Sequence, residues 1–479
     1  MHMSDTIESA TKKEFEHKWV ILAAVMLGTF MTPLDGSIVN TVLPSITTFF
    51  NADISIAQWV PTVYLLTISC LILLYGRLGD MLGYKRIFLY GLAAFTVTSM
   101  LCGFSQSMWM LIAFRALQGL AAGMVMAVGL AIVTAAFPPT ERGRAIGIYA
   151  ISIAVALGLG PTLGGIIAEH LSWRYVFFIN IPIGIAALVW GSRVIPQGIR
   201  NPGQRLDWYG ALTVLAFLLS LLLYANRGED WGWLSPVSLS LLAIALLSGA
   251  LFIWIERRSA QPMLNLALFR NRVFSFASLS ALLSFMSLYA VVFLTPFYLM
   301  FVLHYSVLTV GLIMAASPIV TLFVAPLSGA VSDRIGTRGL AFFGMCICTL
   351  GLLFMSGLDA SANSFDVAWR IAICGLGMGM FQSPNNSAIM GSVPVFHRGI
   401  ASGILAAMRN VGMVLGIAVA GAVLYNVAPI AASGQPGSFT SAEIQEFLSG
   451  LHWAYISGAV ITGAAALTTL ASVSWRRQA

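Results

Sequence analysis

Charge is what this chain of 479 residues has least of. Asp, Glu, Lys and Arg together make up 9% of it, where a soluble protein carries about 25%. Hydrophobic residues reach 58% and the mean hydropathy is +0.88. A soluble enzyme or a nucleic-acid-binding protein is thereby excluded, and a polytopic membrane protein is indicated. The five cysteines (Cys70, Cys102, Cys346, Cys348, Cys374) all fall inside apolar runs at spacings that suit no metal site. A disulfide framework and a zinc site are excluded, and the thiols are expected to act as small buried hydrophobes. Ten-residue alternation is missing too, so a β-barrel is excluded. A cleavable signal peptide is not expected, because residues 4–18 are polar and the apolar run behind them is too long for one.

What is present is a series of continuous apolar runs about 20 residues long, the length of a membrane-spanning helix. Fourteen are expected, at 19–43, 55–76, 87–105, 108–135, 144–167, 175–195, 208–226, 235–255, 273–301, 307–331, 339–357, 367–390, 400–425 and 451–475. An even count puts both termini on one side, and Lys and Arg decide which. With the termini in the cytoplasm, only Arg174, Arg227 and Arg370 of the 25 basic residues fall outside, and Arg115 and Arg409 lie within helices. The formal net charge of +7 is therefore a topology signal and implies no nucleic acid.

Acids at membrane depth are scarcer still. Asp35, in Leu34-Asp35-Gly36-Ser37-Ile38-Val39-Asn40-Thr41-Val42-Leu43-Pro44, is the one carboxylate inside a predicted span. An ionised group there costs about 2.5–3.5 kcal/mol on insertion scales. It survives by facing a bundle interior, by pairing, or by taking up a proton. Arg115 in helix 4 falls at similar depth, seven residues from its helix's outer end against eight for Asp35. A pair between them can be broken by a proton or by a competing cation, and since arginine stays charged the switch must be the carboxyl's. The competing reading is a static ion pair that fixes helix packing.

The chain also repeats itself. Gly76-Arg77-Leu78-Gly79-Asp80-Met81-Leu82-Gly83-Tyr84-Lys85-Arg86 after helix 2 returns as Gly329-Ala330-Val331-Ser332-Asp333-Arg334-Ile335-Gly336-Thr337-Arg338 after helix 10. Pro138 to Gly143 is echoed by Pro394 to Gly399. Both repeats fall in cytoplasmic loops, so the two halves run in the same direction, related by an axis along the membrane normal. The expected division is a segment 1–18, a six-helix bundle 19–196, an inserted pair 197–258, a second six-helix bundle 259–475 with an external loop 426–450, and a tail 476–479.

These stretches resemble the major facilitator superfamily, specifically its fourteen-helix drug:proton antiporter branch, over nearly the whole chain. Leu34 to Pro44 is similar to that branch's helix-1 signature, with Ser37 for Thr and Thr41 for Val. Gly76 to Arg86 resembles the superfamily's motif between helices 2 and 3, with Met81 where a basic residue is usual. Leu111 to Gly123, with Arg115, Gln118 and Gly119, resembles its helix-4 motif. Gly147, Ala156, Gly160-Pro161 and Gly164-Gly165 resemble the antiporter motif of helix 5, with Ala156 replacing a glycine. Ser172 to Gly184 and Gln382-Ser383-Pro384-Asn385-Asn386 are similar to further stretches of the branch.

The resemblance implies an all-α membrane fold of two six-helix bundles plus two inserted helices, and a secondary transporter rather than an enzyme. It implies a proton-coupled antiporter exporting lipophilic, cationic drugs or toxic organic compounds across a prokaryotic cytoplasmic membrane. Asp35 and Arg115 would carry the coupling. Gly76, Asp80, Gly83, Lys85, Arg86, Asp333 and Arg334 would form an intracellular gate, and Gly160, Pro161, Gly164 and Gly165 would mark export. Asn40, Gln58, Tyr64, Tyr289, Phe293, Phe297, Gln382, Asn385, Asn386 and Arg409 are the substrate candidates. Aromatics, amides and one acid suit a lipophilic cation through stacking and cation–π contact, and suit a neutral amphiphile as well. Arg409 can instead hold an anion or snorkel to the cytoplasmic face. No cofactor is expected beyond the proton gradient; the partners are substrate, protons and membrane lipid, and the protein is a monomer. The alternatives are export of a lipid, fatty acid, siderophore or other metabolite, and, from another class, a lipid scramblase without proton coupling.

Overall fold

Without water to take up backbone polar groups, a spanning segment must satisfy them itself, and helix does so within one segment. The computed structural model describes residues 17–138, 141–197, 207–259, 266–394, 398–429 and 440–471, and these contain no strand. Fourteen long helical segments follow one another. They are α1 Lys18–Phe50, α2 Trp59–Leu82, α3 Tyr84–Gly103, α4 Met108–Ala136, α5 Arg142–His170, and α6 in two pieces, Tyr175–Phe178 and Asn180–Val194. Then come α7 Trp208–Trp231, α8 Pro236–Arg258, α9 Arg272–Phe297 with a π-helical end at Tyr298–Val302, and α10 in two pieces, Val307–Met314 and Ala316–Ile335. The last are α11 Thr337–Ser356, α12 Ser364–Gly391, α13 Arg398–Val427 and α14 Ser441–Ala471. Thirteen spans, all but α5, meet the length and hydropathy of a membrane crossing, and α5 is itself 29 residues long.

Two boundaries differ most from expectation, and for a common reason: helix continues past the hydrocarbon-length run into polar residues. α1 runs on to Phe50 and stops at Asn51 in the left-handed conformation, so Asp35 sits at mid-helix and not eight residues from its end. α14 begins at Ser441 rather than 451, with the Thr440 and Glu443 side chains bonding back across its first turn. The external loop expected at 426–450 is shortened accordingly, and its residues 430–439 lie outside the described part.

The strongest pairings in the first six helices are α3 with α4, α2 with α4, α1 with α5, α3 with α6 and α1 with α6. Eight helices on, α11–α12, α10–α12, α9–α13, α11–α14 and α9–α14 repeat the set. Gly83 and Gly336, at matching places in the repeated motif, hold φ of 95° and 93°, a backbone region open to glycine at little cost. α7 and α8 pair with each other, and α7 lies along both α2 and α13.

Helix prolines would leave orphan carbonyls in lipid, and hydroxyls take up three of them. Pro161 frees the Leu157 carbonyl, which accepts from Ser37 Oγ of α1 at 2.9 Å. Pro384 frees that of Met380, which accepts from Ser328 of α10 at 2.9 Å. Pro33 frees that of Thr29, which accepts from Thr32 at 3.2 Å.

The halves meet where α1 ends and α2 begins. Ser45 lies against Met300, and the Gln58 side chain against Gly421. The Pro161 carbonyl and Gly165 pack on Gly311, Val307 and Leu308. At the opposite end, a Cβ placed on Gly76, Gly336 or Gly403 would meet no atom within 4 Å. The two halves are thus closed against each other at the first end.

Candidate functional site

The site is assembled from neutral donors around one carboxylate. Asp35 and Arg115 are both fully buried, and Arg115 Nη1 donates to Asp35 Oδ2. The other carboxylate oxygen, Oδ1, accepts from Asn180 Nδ2 at 2.9 Å and from Gln118 Nε2 at 3.1 Å. Gln118 Oε1 in turn accepts from Arg115 Nη1 at 2.7 Å, closing a ring of three side chains. Arg115 Nε donates to the Val60 carbonyl at 3.3 Å, and its guanidinium lies 4.0 Å from the centre of the Tyr64 ring. Tyr64 is held there by its hydroxyl, which donates to the Thr32 carbonyl at 2.9 Å. Asn180 is anchored through Ser99 at 2.9 Å, whose hydroxyl donates to the Phe177 carbonyl.

Four helices, α1, α2, α4 and α6, thus converge on Asp35. A buried ion pair repays its desolvation only with further hydrogen bonds of this kind; Arg115 Nη2 and Asn180 Oδ1 remain without one. Arg115 was visible as an intrahelical base and Gln118 as part of its motif. The bond from Asn180 was not, because one neutral amide in a membrane helix carries no signature in sequence.

The substrate candidates separate into groups. Tyr64 belongs to the Asp35 site. Asn40 is buried in α1 with Oδ1 unpartnered. Gln58 is buried at the seam between α2 and α13. On α9, Phe293 and Phe297 are buried in an edge-to-face series with Phe301. Tyr289, also buried, packs against Gly416 of α13. Asn385 is committed to the Ala277 carbonyl at 3.1 Å, tying α12 to α9. Arg409 and Asn386 form a second polar group, in which Arg409 Nη2 donates to Asn386 Oδ1 at 3.2 Å and the guanidinium lies 5.4 Å from the Phe285 ring centre, and half-buried Gln382 lies one turn before Asn386 on α12.

The residues expected to gate the cytoplasmic end are described in part. Asp80, in the last turn of α2 and not in a loop as expected, accepts from Tyr84 at the start of α3. Lys85, Arg86 and Arg334 make no ion pair among the described residues, and the Asp333 side chain lies outside them. In α5, Gly160 and Gly164 pack on Ser37 and Ile38 of α1, while Gly165 and Pro161 face α10. The expected smooth face of Ala156, Gly160 and Gly164 therefore serves packing within one half, and the very next glycine serves the seam between halves.

Residues 25–417 match the model of the Major Facilitator Superfamily. The chain is 34% identical over 405 residues to the riboflavin transporter RibZ of Clostridioides difficile, covering 84% of this chain and 87% of that protein. It is 34% identical over 404 residues to the multidrug resistance protein Stp of Mycobacterium tuberculosis, covering 84% and 75%. With the tetracenomycin C resistance and export protein of Streptomyces glaucescens it shares 31% over 407 residues, 85% and 76% of the two chains. In fold it is similar to a bacterial homologue of the lysosomal transporter Spinster, solved in an inward-facing, unoccupied conformation. The TM-score is 0.66 at 16% identity, over 95% of this chain and 97% of that one. Two packing-equivalent sets of six helices, a buried charge site between helices of the first set, and a family match across most of the sequence agree: the chain is a multi-pass membrane transporter, not an enzyme, and belongs to the major facilitator superfamily beside its multidrug efflux members.

Proposed function

We propose that this transporter is a proton-coupled antiporter that exports lipophilic aromatic drugs across the cytoplasmic membrane of a prokaryote, with both termini in the cytoplasm. One observation carries it: the carboxylate at the middle of α1 is sealed from solvent and held by Arg115, Gln118 and Asn180. A proton on Asp35 removes the charge that holds Arg115. The guanidinium, which stays charged, is then released toward Tyr64 and the seam, and the closed end can open. Loss of the proton on the other side restores the pair. A lipophilic cation competing for Asp35 would produce the same exchange, which is the basis for assigning cationic substrates.

The names of two relatives, a multidrug resistance protein and a tetracenomycin C resistance and export protein, support drug export. The riboflavin relative, taken with Arg409, also favours a second reading in which the cargo is a ring-bearing metabolite moved by the same machine.

The test is purified protein in liposomes under an imposed pH gradient, following ethidium in wild type and Asp35→Asn. Gradient-driven movement that disappears in Asp35→Asn is expected. Movement that persists in the variant overturns coupling through this carboxylate, and no movement in wild type overturns the cationic substrate.

A further inference from the structure

Arg409 stands at the middle of α13 between α9 and α12, and no carboxylate reaches it among the described residues. Its protein contacts are one bond to the neutral amide of Asn386 and the face of Phe285. Its Nε is buried without a partner. The contrast with Arg115 is chemical: there a carboxylate, an amide and a carbonyl all accept from the guanidinium, although its Nη2 is without a partner. Here the charge is left with one amide and a ring. A cation held that way at membrane depth is costly, and a functional role is the default meaning of such a residue.

The surroundings indicate the ligand. One helical turn before Asn386, Gln382 is half-buried and makes no side-chain hydrogen bond to the described protein. Phe285 and Tyr289 lie one turn apart on α9, both buried against α13. The arrangement presents a planar guanidinium with free N–H groups, an adjacent amide, and two aromatic rings.

We propose that Arg409, with Gln382 and the rings of Phe285 and Tyr289, forms a subsite for the anionic oxygen group of an aromatic substrate. The guanidinium fork matches a carboxylate or a delocalised ring oxyanion, while the ring system stacks on α9. Substrates of this class would be aromatic acids or zwitterions, with any cationic end directed toward Asp35 in the other half. The proposal rests on the transporter reading only in taking the space between α9, α12 and α13 as the place where cargo sits, and it is independent of proton coupling.

Binding is measured by fluorescence anisotropy in neutral phosphatidylcholine nanodiscs, with no gradient, so that no lipid headgroup supplies a net anion and coupling plays no part. Fluorescein is the aromatic anion and ethidium the cation. Arg409→Gln is expected to weaken fluorescein binding about tenfold or more, the scale of losing one hydrogen bond to a charged group, and to leave ethidium binding unchanged. Arg409→Lys keeps the charge but not the fork, and is expected between the two. Removing an unpaired buried charge should leave the melting temperature of Arg409→Gln unchanged or raised, whereas a structural arginine would lower it. Fluorescein binding equal in wild type and Arg409→Gln, or absent from wild type, overturns the subsite, as does a parallel loss of ethidium binding. Asp35→Asn should retain fluorescein binding at Arg409 even where it abolishes gradient-driven transport, so failure of this proposal and failure of the coupling reading are told apart.

Discussion

Asn180 shares one amide group between two acceptors, Asp35 Oδ1 and the Ser99 hydroxyl. It therefore ties the carboxylate to α3 and α6 as well as donating to it. A hydrogen bond to a charged group contributes about 1.5–3 kcal/mol. Asn180→Ala is expected to reduce gradient-driven ethidium transport about tenfold, with the protein still folded. Asn180→Asp, which sets a second carboxylate against the first, is expected to abolish it; wild-type transport in Asn180→Asp would remove Asn180 from the site. Arg115→Ala leaves Asp35 as an uncompensated buried charge, costing about 3–5 kcal/mol, and a large fall in melting temperature is expected. At this scale the sequence was informative where a residue was out of place. A lone acid in hydrocarbon stands out, and so do Arg115 and Arg409. The donation from Asn180 depends on α6 meeting α1 and α3 at one depth, which no local pattern encodes.

Among the helices, α5 shows how neighbouring residues can serve different interfaces. The Ala156, Gly160, Gly164 spacing was legible as a close-packing stripe, and that stripe rests on α1. Gly165, one residue on, points some 100° around the helix, where a Cβ would lie 2.8 Å from the Val307 carbonyl. The role of Ser37 was hidden for a similar reason: its hydroxyl answers a carbonyl 120 residues away that Pro161 leaves free. Ser37→Ala would strand the Leu157 carbonyl in an apolar seam at a cost of about 1–3 kcal/mol. Its melting temperature should fall by several degrees, with Ser328→Ala, the counterpart at Pro384, behaving alike. An unchanged melting temperature in both would show that the proline carbonyls find other donors.

Across the whole molecule, the closed end is a seam of backbone against backbone, Gly165 on Val307 and Leu308, and Gly311 on the Pro161 carbonyl. Such contacts fit in one arrangement or separate; they do not stretch. Joining them should therefore stop transport. A reducible thiol cross-linker between Ser45→Cys and Met300→Cys, whose side chains meet across the same seam, is expected to halt ethidium movement when joined and release it on reduction. Full transport in the cross-linked pair would show that this end need not open.

The sequence by itself determined that the chain is a membrane protein, how many helices it has, that its halves are repeats, and which charged residues are exceptional. Each of these is a property of composition or local periodicity, set by the length of the hydrocarbon layer and the cost of charge within it. Only the tertiary structure decided that Asp35 is fully enclosed while Arg409 is not. Both are ionisable groups at mid-helix, alike in their own stretches. What separates them is whether other helices bring an opposite charge and several hydrogen-bond partners to the same point, as Arg115, Gln118 and Asn180 come to Asp35, and that is a matter of how the helices pack.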